Sequence, residues 1–212
     1  MVNDHHRNKD SCMKNYCHVS VIIASLITIG LHMHAQFHYT TDKRRSTMTV
    51  RGTSNVHDWE MEVRDFTCSV MLFQEPETLQ IQTVRFGAKA GSIRNQSSIM
   101  NKKTHDALMT DRYPDITFQV SATEILRMNS DSFKGSLTGA LRLAGETGRI
   151  IVPVSGEILS DAEIEVSGSV KLRMSNFGIR PPTAILGTLK TGDEVTVDFH
   201  MVLKREQVTH SP

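Results

Sequence analysis

The stretch EIEVSGSVKLRM, residues 163–174, separates into two faces without exception: Ile164, Val166, Gly168, Val170, Leu172 and Met174 on one side, Glu163, Glu165, Ser167, Ser169, Lys171 and Arg173 on the other. Side chains of an extended chain point alternately to opposite faces of a sheet, so this period of two marks a strand with one dry and one wet face. Val195, Val197, Phe199, Met201 and Leu203 alternate in the same way with Thr196, Asp198, His200, Val202 and Lys204. So do Ile150, Val152, Val154, Gly156 and Ile158, and Ile116, Phe118, Val120 and Ala122 against Thr117, Gln119, Ser121 and Thr123. With residues 47–53, 57–63, 68–73, 79–88 and 132–143, about nine strand candidates follow one another from Ser46 onward.

The separators are turn chemistry: Gln74-Glu75-Pro76-Glu77, Asn129-Ser130-Asp131-Ser132, Gly145-Glu146-Thr147-Gly148 and Ser160-Asp161. Links this short favour antiparallel neighbours over parallel crossovers. One segment departs from the period of two. In SSIMNKKTHDALM, Ile99, Met100, Ala107 and Leu108 recur at helical spacing, Ser97 or Ser98 can cap the start, and the helix ends before Tyr113-Pro114. Residues 176–192 carry Pro181, Pro182, Gly187 and Gly192 and read as a long irregular loop, of the kind that often forms a lid.

Composition narrows the function. Over 212 residues, 24 Lys plus Arg against 23 Asp plus Glu leave a formal charge of +1, without the basic footprint that nucleic acid requires. At the N-terminus, Arg7, Lys9 and Lys14 precede the apolar run VSVIIASLITIGL, residues 19–31, and then His32-Met33-His34-Ala35. The run is shorter than the roughly 20 residues that cross a bilayer as a helix, and the layout is that of a secretory signal peptide cut after Ala35. A single domain over residues 36–212, periplasmic or secreted and without a stable membrane span, is therefore expected. Cys12 and Cys17 leave with the signal, so Cys68 has no internal partner and reads as a small strand residue.

About eight antiparallel strands with one apolar face can close into a barrel or stack as a sandwich, and the pattern alone does not separate them. The dry face holds small residues at several middle positions, Gly139, Gly156, Gly168 and Ala122. These either leave room for a hollow lumen or mark bends of the sheet.

Three segments carry a family resemblance: Gly52-Thr53-Ser54-Asn55-Val56-His57-Asp58-Trp59-Glu60; Tyr113-Pro114-Asp115-Ile116-Thr117-Phe118 after the short helix; and Phe133-Lys134-Gly135-Ser136-Leu137-Thr138 followed by Gly145. In order and spacing, over roughly residues 40–204, the chain resembles the YceI-like proteins, also called polyisoprenoid-binding periplasmic proteins. The resemblance implies an all-β fold, an antiparallel lipocalin-like barrel of about eight strands with one short helix. It also implies a lumen that holds an isoprenoid or other amphiphilic lipid. The first hairpin departs from the commoner family pattern around its histidine, which bears on which lipid is held.

By parity and size, Trp59, Met61, Phe86, Phe118, Leu137, Leu141, Val166, Val170, Phe199 and Met201 are the expected lumen wall, with Gly139 as the point where the wall leaves space. His57 shares parity with Trp59 and Met61 and is the polar candidate at the mouth. Ser54, His57 and Asp58 contain the residue types of a hydrolase triad, but His57 and Asp58 point to opposite faces and no G-x-S-x-G elbow is present. His57, His105 and His200 have no ligand spacing, so neither a metal nor a cofactor is expected. The expected function is non-catalytic lipid binding; the alternative is a solid-cored β-sandwich that works through its loops on another envelope protein.

Overall fold

The computed structural model describes residues 36–74, 79–127, 131–184 and 189–206. The expected signal segment, residues 1–35, and the expected cut after Ala35 lie outside them. The strands are β1 (Gln36–Thr41), β2 (Thr47–Ser54), β3 (Trp59–Val63), β4 (Phe66–Gln74), β5 (Leu79–Lys89), β6 (Ile93–Arg94), β7 (Asp115–Arg127), β8 (Ser132–Leu143), β9 (Glu146–Ser160), β10 (Glu163–Arg173), β11 (Thr183–Ala184) and β12 (Leu189–Arg205). One helix, α1 (Ser98–Leu108), lies between β6 and β7.

These strands close on themselves. The antiparallel order β1-β4-β5-β7-β8-β9-β10-β12 is completed by a β1–β12 pairing, Tyr39 opposite Arg205 and Thr41 opposite Leu203. Both β1 and β2 lie along the same edge of β12, which makes them two halves of one bent stave; β3 and β4 form the next, and β5 with β6 the one after. Eight staves result, and the ring has no free edge of the kind a sandwich retains, so the sandwich alternative falls.

Hairpin chemistry fixes the register. Between β8 and β9 the chain reverses on Ala144 and Gly145, both with positive φ (51° and 90°), the primed two-residue turn whose twist suits a hairpin. The turn is thus one residue earlier than the sequence suggests, and Glu146 and Thr147 already belong to β9. At α1, the Ser97 hydroxyl accepts from the Met100 amide, and Met109 ends the helix in a left-handed conformation.

Two further expectations are corrected. A β-bulge between Val120 and Ala122 inverts the parity of β7, so Ala122 is exposed while Ile125 faces inward. The expected loop over residues 176–192 is largely structured: a tight 3-10 turn at Met174–Phe177 ends on buried Phe177, Ile179 beyond it is buried too, and β12 begins at Leu189, where it pairs with β11. Residues 185–188 of that stretch lie outside the described ones.

Candidate functional site: an apolar lumen with one polar end

The inward faces of the staves enclose a cavity of about 730 Å³. Interiors normally pack at about 0.75 density with few voids larger than a water molecule, so a space of this size belongs to the ligand-holding range of roughly 300–1,000 Å³. Burial points the same way. Val166, Val170, Leu137 and Val197 face inward yet are only half-buried, because what they face is open space.

Ten residues expected on the wall, Trp59, Met61, Phe86, Phe118, Leu137, Leu141, Val166, Val170, Phe199 and Met201, all line this cavity. Gly139 does not. It is buried, and a Cβ there would run into the Gln119 carbonyl and lie 2.8 Å from Cε2 of Phe118. The same holds at Gly156 beneath the Phe133 ring, Gly168 beneath Phe199 and Gly52 beneath Trp59. The small residues of the dry face are therefore seats for aromatic rings of neighbouring strands, a close approach that only a glycine permits. The free volume lies in front of those rings and of the inward aliphatic side chains.

Residues not singled out from the sequence also line the cavity, among them Met48, Val63, Val70, Val84, Ile93, Ile125 and Val154. Parity could have found Val154, which sits on the dry face of its strand. Ile125 was hidden by the bulge and Ile93 by the brevity of β6.

Polarity within the lumen is one-sided. Ser54, His57, Asp58 and Glu60 of the β2–β3 hairpin, Asn95, Ser97, Lys103 and Thr104 of the α1 region, and Thr183 and Thr191 of the β11–β12 hairpin all reach the cavity from these three elements. Elsewhere the wall is apolar, with the Cys68 thiol as its one other heteroatom-bearing group besides methionine. Burial pushes that thiol up to about 12, so it is inert at neutral pH.

Hydrogen bonds tie the three elements into a rim. Asn55 and Lys190 exchange two, from the Asn55 amide to the Lys190 carbonyl (3.1 Å) and from the Lys190 amide to Asn55 Oδ1 (2.9 Å). Lys103 Nζ donates to the Thr183 carbonyl at 2.7 Å, and Asn95 Nδ2 to the Glu60 carbonyl at 3.3 Å. Trp59 Nε1 donates to the Thr53 carbonyl at 3.1 Å, which holds the indole against Gly52.

His57 stands at this rim but is exposed, in the turn before β3 rather than on the strand. The Ser54 hydroxyl donates to the His57 carbonyl (2.7 Å) and accepts from the amides of Val56 and His57. It is committed to the backbone of the turn, whereas a triad requires it to bond to the imidazole. His105 Nε2 lies 3.0 Å from the Ile93 carbonyl and His200 Nδ1 3.1 Å from Ser167 Oγ, each in its own surroundings. Among the described residues no group of three His, Cys, Asp or Glu could hold a metal, and no helix is long and apolar enough to cross a membrane.

A closed eight-stranded antiparallel barrel around an apolar, one-ended lumen is the class that the geometry defines. The family model for the YceI-like domain matches residues 39–203, and the chain belongs to that family. Its fold is shared with BcnA of Burkholderia cenocepacia (20% identity, TM-score 0.58, covering 76% of this chain and 98% of that one). It is shared also with a polyisoprenoid-binding domain from Saccharophagus degradans implicated in plant cell wall breakdown (15% identity, TM-score 0.61, covering 79% and 98%). A third similar structure is the YceI protein of Campylobacter jejuni (19% identity, TM-score 0.52, covering 69% and 84%). Among curated proteins no match to the sequence is found.

Proposed function

We propose that the protein is an exported, non-catalytic carrier that holds a long apolar lipid of isoprenoid type in its lumen, tail inward and polar end at the rim. The observation that carries this is the combination of about 730 Å³ of apolar space with polar groups confined to one end. A uniformly apolar molecule would not need the rim, and a polar metabolite would leave its hydrogen-bonding groups unpaired against the wall. Each buried CH₂ contributes roughly 0.8 kcal/mol, so one five-carbon unit gives about 4 kcal/mol gross. About four such units offset the association cost, which is on the order of 4–15 kcal/mol, without any head-group contact. The binding domain named in the S. degradans relative and the signal-like layout of residues 1–35 support the ligand class and the export.

The test is titration with a fluorescent isoprenoid, comparing the protein with Val166→Phe/Val170→Phe, two positions where the wall has open space in front of it. Saturable binding that this double substitution weakens at least roughly tenfold, with a denaturant midpoint little changed, is expected. Binding that the substitutions leave untouched would contradict a lumen site.

A further inference from the structure

The two most exposed large apolar residues among the described ones are Ile99 (71%) and Val56 (66%). Ile99 opens α1 and itself lines the lumen; Val56 sits in the β2–β3 turn between Asn55, bonded to the opposite hairpin, and His57, which also lines the lumen. Single exposed apolar residues are ordinary. These two, however, stand on two of the three elements that frame one opening, where an apolar interior meets solvent.

Charge at the rim is mixed. Lys102 pairs with Asp106, Lys103 holds the Thr183 carbonyl, Lys190 follows on the hairpin, and Asp58 and Glu60 lie on the β2–β3 side. A surface with both signs around an apolar pair matches a zwitterionic head-group layer: the apolar side chains enter the acyl boundary and the charged ones remain at the level of phosphate and choline.

We propose that the rim is a membrane-docking face, with Val56 and Ile99 inserting into a phospholipid surface so that the lumen opens onto the layer from which its ligand is drawn. A protein seated on the same pair would cap the opening, whereas a bilayer leaves it continuous with a store of apolar molecules. Because docking serves loading, this rests on the carrier function proposed above.

Trp59 is the only tryptophan of the chain, which allows single-tryptophan reporters. In the full chain, Trp59→Phe/Ile99→Trp and Trp59→Phe/Ile151→Trp would be mixed with phosphatidylcholine vesicles brominated high on the acyl chains. Ile151 is exposed on β9, away from the rim elements, and serves as the control. The reporter at position 99 is expected to shift to the blue and be quenched, and the one at position 151 to stay unchanged. Adding Val56→Asp to the first should raise the vesicle concentration needed for half-quenching roughly tenfold. Equal response of the two reporters, no response of either, or a response only after phosphatidylglycerol is included would overturn docking by apolar insertion. Quenching that disappears when Val166→Phe/Val170→Phe fill the lumen would assign the signal to lipid inside the barrel, overturning docking while supporting the carrier. Quenching that persists in a protein unable to bind isoprenoid leaves docking in place and overturns the carrier.

Discussion

At Gly168 a missing side chain decides where a ring can lie. A Cβ would collide with Phe199 on the paired strand and with the Pro153 carbonyl, so Gly168→Ala is expected to destabilise by about 1–3 kcal/mol, as overpacking does. Phe199→Leu in the same chain should recover part of that loss. A denaturant midpoint unmoved by Gly168→Ala would contradict the seating of the ring. Sequence pattern located these glycines on the dry face, but it could not tell space for a ligand from space for a neighbour's aromatic ring, because pairing partners are set by register. Cys68 offers a second check at this scale. With its thiol buried and pushed up to about 12, alkylation of Cys68 at neutral pH, followed by peptide mass spectrometry, should be undetectable until the barrel unfolds.

Among the elements, the long alternating strands were legible and their irregularities were not. Glu163–Arg173 keeps its faces throughout, since β12 pairs with it along its whole length and β9 with Glu163 to Gly168. In β7 the run Val120-Ser121-Ala122 conceals a bulge, because alanine is acceptable on either face; Ser121 Oγ donates to the Thr138 carbonyl across it. Val202, on the nominal wet face of β12, is 1% exposed because the link between β1 and β2 folds over it, with the Asp42 amide donating to its carbonyl and Ser46 Oγ accepting from its amide. The short helix was legible from its helical spacing, and of the two candidate caps, Ser97 and Ser98, it is Ser97 that caps it. The turn after β10 is clamped to β12 by Asp193, which accepts from the Ser175 hydroxyl (2.6 Å) and amide (2.8 Å), and these bonds hold its carboxyl below the ordinary carboxylate range. The contribution of a group with a lowered folded-state pKa is present above its ordinary value and is lost as pH falls through the lowered one. Protection of the Ser175 amide from hydrogen exchange should therefore fall at acid pH, and Asp193→Asn should abolish that dependence; an unchanged pH profile in the variant would sink the clamp.

For the molecule as a whole, the closure of the barrel depends on contacts that no local pattern encodes: β1, before the first strand read from the sequence, pairs with the last one. Patterning restricted the fold to a barrel or a sandwich, and the family resemblance selected the barrel. The wall residues followed from parity because inward faces of a closed sheet can only meet one another or a cavity. What parity left open was how much of that interior is empty, since emptiness is set by barrel radius and side-chain volume together. The central claim, that about 730 Å³ of this interior exists to hold a lipid, is tested most directly by native mass spectrometry of the protein released gently from the cells that produce it. A discrete mass adduct of an apolar lipid is expected, retained by the wild-type barrel and absent from Val166→Phe/Val170→Phe. A bare protein mass, in a preparation that also fails to take up added isoprenoid, would contradict it.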